Sequence, residues 1–281
     1  MRPALPALLV GAVFIALSPI FVRLSEAGPT ATAFWRVALA LPVLWVLVLA
    51  FRQPLKGPKL LFLAAGVAFA GDLAFWHTSI KLTSVANSTL LANLASIFVT
   101  LAAWLLFRQR PRPLFLAALA LALVGVALLV HTSLEFSRTA LLGDALGVVT
   151  AMFYAWYILA VKGLRDRGAA TLQVMALTST LTALLLLPVA LASGEQMLPA
   201  SAYGWWILIG LALISHAAGQ GLIAYALAHL PAPFSSVGLL LQPVVAAFFA
   251  WMLLSEPLVA LQIAGGLVVL VAIWLARRAS G

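Results

Sequence analysis

Asp72 stands in the middle of an apolar run, Gly71-Asp72-Leu73-Ala74-Phe75-Trp76-His77, and it is the only acid of the chain placed near the centre of such a run. A carboxyl there can accept hydrogen bonds from a cation or exchange a proton, and in apolar surroundings it needs a polar partner or an aqueous cavity. Helical spacing puts Trp76 and Ser79 on its face, at i+4 and i+7, and swings His77 about 140° away, towards Lys81. The segment therefore presents two polar edges.

Four other apolar runs carry polar residues at helical spacing. Thr89, Asn93, Ser96 and Thr100 form one stripe, and Thr150, Tyr154 and Tyr157 a second. His216 and Gln220 lie one turn apart, and Ser235, Gly238 and Gln242 align, with Pro243 freeing a carbonyl one turn earlier. Counted from the ends of their runs, Asp72, Asn93, Tyr154, His216 and Gln242 reach the same depth to within about one helical turn. The expected site comprises Asp72, Trp76, His77, Asn93, Tyr154, Tyr157, His216, Gln220 and Gln242. Asp72 and the tyrosine hydroxyls would accept from an ammonium, and Asn93, Gln220, Gln242 and a histidine would donate to a carboxylate. Trp76, Tyr154 and Tyr157 supply aromatic walls. The structural alternative is interhelical glue, about 0.6 kcal/mol for each such contact.

The elements that must position these groups follow from composition. The chain has 281 residues, 65% hydrophobic and 8% charged, against about 45–50% and about 25% in soluble domains. A lipid bilayer solvates such a chain. Its core, about 30 Å thick, takes about 20 residues of helix, and ten runs meet that length: 4–24, 31–51, 59–80, 84–107, 113–131, 141–162, 170–192, 204–228, 233–254 and 258–276. The first is expected to be an uncleaved span. The net charge of +9 does not point to nucleic acid, because the basic residues sit in small groups between apolar runs. There is no cysteine, and the histidines, His77, His131, His216 and His229, are scattered, so neither metal nor cofactor is expected.

Counting Lys and Arg on alternate loops orients the chain. One side holds Arg2, Arg52, Lys56, Lys59, Arg108, Arg110, Arg112, Lys162, Arg165, Arg167, Arg277 and Arg278, and the other holds Arg23, Lys81 and Arg138. Both termini are expected in the cytoplasm of a cell whose inner (plasma) membrane the protein crosses. Arg36 is read as structural, just below the outer surface, where it reaches outward or pairs with an acid; the structural alternative for Asp72 is a buried pair with Arg36 or a histidine. Trp35, Trp104, Trp205, Trp206, Trp251 and Trp274, near span ends, read as interfacial belt residues.

A shift of 147 positions aligns Leu94, Ala103, Trp104 and Leu106 with Leu241, Ala250, Trp251 and Leu253, and Ser88 with Ser235. The fold expected is an all-α polytopic membrane protein, ten transmembrane helices as two inverted five-helix repeats: residues 1–131, a connection at 132–140, and residues 141–281. An odd number of spans per repeat forces the inversion, and inverted repeats commonly enclose a site at the midplane.

Two stretches carry a family likeness. One is Gly28-Pro29 followed by Ala33-Phe34-Trp35-Arg36. The other runs Ser235-Ser236, Gln242-Pro243, Trp251, Glu256-Pro257, Gln262 and Gly265-Gly266. With them the chain resembles the drug/metabolite transporter superfamily in its ten-helix EamA-type branch, whose members include YddG-like amino-acid exporters. It departs from the pattern where Ser96 stands opposite Pro243 and Gln109 opposite Glu256. The resemblance implies an alternating-access carrier of small metabolites, frequently outward. Amino acids, aromatic ones included, suit the polar stripes, with Asp72 as a candidate proton-coupling group. The alternatives are a cationic drug or metabolite efflux carrier, a channel or membrane scaffold, and an intramembrane enzyme using Asp72, His77 and His216. The last lacks any accompanying nucleophile or metal motif.

Overall fold

Backbone N–H and C=O groups cannot be left unpaired in hydrocarbon, so an apolar chain crosses it as helix. The computed structural model describes residues 3–53, 56–83, 85–108, 110–130, 138–255 and 258–280. Among them there is no strand, and ten helical spans account for most of the chain. The first two are Ala4–Leu24 and Pro29–Ala50, and the third is Lys59–Leu82. The fourth is made of Val85–Ala92 and Ala95–Phe107, and the fifth is Pro113–Val130. Arg138–Asp166, Thr171–Ala192 and Ala202–Ala226 follow. The ninth joins Ala232–Gly238 to Leu241–Leu254, and the tenth is Ala260–Ser280. Eight of the ten are long and apolar enough to cross a bilayer as they stand; the fourth and fifth contain the shorter apolar helices Ala95–Leu106 and Pro113–Leu129. Glu256-Pro257, Gln109, His131 and residues 132–137 of the expected connection lie outside the described residues.

Hydropathy predicts continuous rods, yet four spans break near their middles. The first breaks at Leu17, the second at Leu39-Ala40, the fourth at Asn93-Leu94 and the ninth at Leu239-Leu240. Pro19, Pro42 and Pro243 open the second halves of three of these. A proline has no N–H for the preceding turn, and that turn tightens instead through i→i−3 bonds, Ala40 N to Val37 O at 3.2 Å and Leu240 N to Val237 O at 3.1 Å. The fourth span has Ser96 where the ninth has Pro243, and breaks without a proline. There Ser96 Oγ donates to Asn93 O at 3.0 Å and Asn93 Nδ2 to Thr89 O at 2.8 Å, so side chains serve the carbonyls at the break. Pro188 sits inside the seventh span without dividing it. The eighth widens into a π-helix over Leu211–Gln220.

The spans pack in matched pairs. The third lies along the sixth and the first along the eighth; the fourth meets the sixth and the ninth meets the first. Replacing each span by the one five later maps each of these contacts onto its mate. The second packs on the seventh, the fourth on the ninth and the fifth on the tenth, pairs that the exchange maps onto themselves. Local geometry repeats too: the fourth and ninth spans end on left-handed residues 147 positions apart, Arg108 (φ 54°) and Ser255 (φ 56°).

Glycines set the closest crossings. A Cβ on Gly125 would lie 2.8 Å from Gly265 O, and one on Gly143 2.8 Å from Thr83 N. Trp104, Trp206, Trp251 and Trp274 are exposed on the bundle's flank. Trp35 differs from the belt reading: its indole donates to Met197 O at 2.7 Å and meets Trp205 edge-on at 5.2 Å, tying the second span to the loop before the eighth.

Candidate functional site

The broken helices meet the third, sixth and eighth spans around one cavity of about 90 Å³. From the third span come Phe69, Asp72, Leu73 and Trp76, residues on one helical face. The fourth gives Thr89, Ala92 and Asn93, and the sixth Thr150 and Tyr154. Gln220 projects from the end of the π-helical stretch, and Gln242, Pro243 and Ala246 from just beyond the break in the ninth span. The first span closes one wall with Ile15, Ala16, Ser18 and Pro19, and the second contributes Arg36.

Of the residues expected at the site, Asp72, Trp76, Asn93, Tyr154, Gln220 and Gln242 line this cavity together. Tyr157 and His216 stand behind the wall. Tyr157 stacks on Phe69 at 4.6 Å between centroids, His216 stacks on Phe69 at 5.5 Å, and His216 Nε2 shares a 2.7 Å hydrogen bond with Ser179 Oγ. They form a rigid backing for Phe69. His77 is fully buried elsewhere, its Nδ1–H donating to Leu73 O at 2.7 Å and its ring edge-on to Trp76. Its offset from Asp72 on the helix removes it from the lining. Ser79, on the Asp72 face, donates across to Gly143 O at 2.7 Å and joins the third span to the sixth.

Sequence reasoning kept Arg36 as a structural residue and out of the site. It is 5% exposed, its guanidinium carbon 6.0 Å from the centroid of Phe69, and it shares the cavity with Asp72, which is 8% exposed. Among the described residues the two are not in direct ion-pair contact. An arginine inside an apolar segment was the available signal, because such charges mark functional sites by default.

Four buried polar atoms on lining residues make no hydrogen bond among the described residues: Ser18 Oγ, Arg36 Nε, Thr150 Oγ1 and Gln242 Nε2. Leaving a buried donor or acceptor unmet costs about 1–3 kcal/mol; other unmet atoms, such as His77 Nε2 and His216 Nδ1, are buried away from the lining, and these four are the ones a polar guest in the cavity could reach. Asn93 spends its amide N–H on Thr89 O, which turns its carbonyl oxygen towards other uses. Gln220 and Gln242 flank the Tyr154 hydroxyl. The wall thus combines an acid, a guanidinium, a phenol and amides with apolar and aromatic surface. No group of three or more His, Cys, Asp or Glu residues that could hold a metal occurs among the described residues.

At one end of the bundle, loops clasp the same spans. Glu195 Oε2 accepts from Thr30 N at 2.8 Å at the start of the second span. Glu26 Oε2 accepts from Ser201 N at 2.9 Å at the start of the eighth, and Ser201 Oγ donates to Oε1. The hydroxyl and N–H of Ser201 hold the Glu26 carboxyl below its ordinary pKa.

A model of the EamA-like transporter family matches residues 2–131 and again 141–278. A curated protein of Archaeoglobus fulgidus named as an uncharacterized transporter is 30% identical over 267 residues, covering 91% of each chain. The pseudopaline exporter CntI of Pseudomonas aeruginosa is 27% identical over 223 residues, 79% of this chain and 76% of its own. A solved structure with 15% identity superposes with a TM-score of 0.86 over 100% of this chain and 98% of that one, a likeness of fold.

Proposed function

The chain belongs to the EamA-like transporter family, and from that premise we propose that it is a secondary carrier exporting small metabolites, amino acids including aromatic ones, through the central cavity by alternating access. One observation carries the reading: Asp72, Asn93, Tyr154, Gln220 and Gln242, from five different spans, face a single cavity inside the bundle. Four unmet polar atoms border that cavity, each costing about 1–3 kcal/mol unless a guest meets it. Trp76 and Phe69 supply an apolar wall that accepts varied side chains. The name of the Pseudomonas relative favours the outward direction.

Two further readings accompany it. The repeats are taken as residues 1–131 and 141–281, supported by the doubled family match and the mirrored span contacts. Both termini are placed in the cytoplasm by the excess of Lys and Arg on their side, and a carboxy-terminal fluorescent fusion accessible only from inside the cell would agree.

Counterflow in liposomes tests the function. Vesicles loaded with unlabelled amino acid should accumulate labelled amino acid through the purified protein, because a carrier's site visits each face in turn. Equal uptake with and without internal substrate would mark a channel, and no uptake across an amino-acid panel would end the reading. Asp72 is proposed to exchange a proton as access alternates. Asp72→Asn should abolish the pH dependence of transport; full transport with an unchanged pH profile removes that role.

A further inference from the structure

The cavity holds two opposite charges that do not meet. In a low-dielectric interior a carboxylate and a guanidinium attract far more strongly than in water, and side chains free to approach would close into a pair. Here the Arg36 guanidinium is carried over the ring of Phe69. Phe69 is itself braced: Tyr157 and His216 stack on it and Ser179 hydrogen-bonds His216. Asp72 comes one turn after Phe69 on the same helix face, so the two charges address the cavity from neighbouring levels. Arg36 Nε is buried with no hydrogen-bond partner among the described residues.

We infer that Arg36 is the carboxylate-binding residue of this cavity, paired across it with Asp72 as the ammonium acceptor, so that the cargo is a zwitterion rather than a simple cation. This rests on the carrier reading above. A guanidinium keeps its charge in any environment and presents a fork of donors that matches a carboxylate. A cationic cargo would satisfy Asp72 and be repelled by Arg36; an anion alone would meet the reverse. A molecule bearing both groups one carbon apart neutralises both charges.

The competing role is structural, with Arg36 present only to neutralise Asp72. The two differ in what a double substitution does. Purified wild type, Arg36→Gln, Arg36→Lys and Arg36→Gln/Asp72→Asn, each shown monodisperse, are compared in counterflow with labelled L-phenylalanine, L-leucine and their decarboxylated amines. Wild type should carry the amino acids in preference to the amines. Arg36→Gln should lose amino-acid transport by about 30-fold or more, the scale of losing one partner of a buried charge contact, and its preference should shift to the amines. Arg36→Lys should fall between, keeping the charge without the fork, and it carries the test alone if Arg36→Gln does not fold. The double variant should stay inactive towards amino acids.

Recovery of amino-acid transport in the double variant would assign Arg36 to neutralising Asp72 and overturn the inference. So would amino-acid transport by Arg36→Gln at the wild-type level. Wild type that carries the amines and refuses the amino acids would sink both the inference and the amino-acid cargo, leaving a carrier of amines. Wild type that moves neither class would bring down both.

Discussion

Placing an alanine at the crossing of the fifth and tenth spans should unfold the protein more easily while leaving its cargo affinity alone. The Cβ added at Gly125 would stand 2.8 Å from Gly265 O, 2.8 Å from Val269 Cγ2 and 2.9 Å from Val269 N. In the other direction, a Cβ on Gly265 would stand 2.6 Å from Gly125 O and 2.9 Å from Leu129 N. Carbon contacts prefer about 3.5–4.0 Å, and two of the three neighbours of Gly125 named here lie on the tenth span's backbone and cannot rotate away, so the helices must part. Overpacking of this kind costs about 1–3 kcal/mol, towards the upper end here because all three contacts lie below 3.0 Å. The better helix propensity of alanine returns about 0.8–1.0 kcal/mol. Gly125→Ala should therefore destabilise by about 1–2 kcal/mol, and Gly125→Ala/Gly265→Ala should not be additive, because the two sites touch. Gly221→Ala is the internal control: nothing lies within 4 Å of its added Cβ, so it should be neutral or stabilise by up to about 1 kcal/mol. The assay is unfolding in mixed micelles of increasing SDS fraction, followed by tryptophan fluorescence. The fifth and tenth spans contribute nothing to the cavity lining, so counterflow by Gly125→Ala at low temperature should show an unchanged apparent KM. A Gly125→Ala protein as stable as wild type, or less stable than its parent by no more than Gly221→Ala, refutes the packing argument; a shifted KM refutes the division between scaffold and site.

Tyr154 lines the cavity and Tyr157 backs it, so Tyr154→Phe should weaken cargo affinity by about 3–10-fold, the scale of one hydrogen bond, and Tyr157→Phe by less than about 2-fold; competition binding in detergent reads both. Pro243→Ala restores a donor at the break in the ninth span, and should hold or raise resistance to SDS while slowing counterflow several-fold. An unaltered transport rate would show that the break has no part in the cycle. The Glu26 carboxyl is held below its ordinary value of 4.5 by Ser201, so the stabilisation it provides is fully present above pH 4.5 and is lost as the pH falls through its lowered value. Thermal melts of Glu26→Gln should accordingly start lower at neutral pH and show a shallower acid limb than wild type.

What could be read from the sequence was the set of groups whose cost in lipid is paid wherever the helix turns. Asp72 and Asn93 interrupt apolar runs, and 3.6-residue spacing aligned Tyr154 and Gln242 at their depth. Other features left no such mark. Pro19 and Pro42 sit among apolar neighbours, where window hydropathy passes over them, and the break in the fourth span has no proline; its tight turn depends on Asn93 and Ser96 side chains serving the backbone. Tyr154 and Tyr157 share a stripe, yet three residues leave them about 60° apart, enough to put one in the wall and the other behind Phe69. Arg36 lies about 10 Å along its helix from Pro29, a distance equally consistent with reaching to the headgroups. Only the Phe69 platform, supplied by another span, decides that it turns inward.

The same two-fold exchange that relates the spans also relates the clasps at the two ends, and there the halves differ in chemistry. At one end the loop before the eighth span reaches the start of the second, through Glu195 and Thr30. Its mate under the exchange is the loop before the third span reaching the start of the seventh, where Gln173 Nε2 donates to Lys56 O at 2.6 Å. One clasp uses ionised carboxylates on backbone N–H groups at helix N-termini, where the dipole favours negative charge. The other uses a neutral amide on a carbonyl. Hydrogen bonds to charged groups are the stronger kind, though solvent reduces the difference at both ends. On the proposed carrier reading, equivalent topology with unequal clasps is expected to favour rest with the carboxylate end shut.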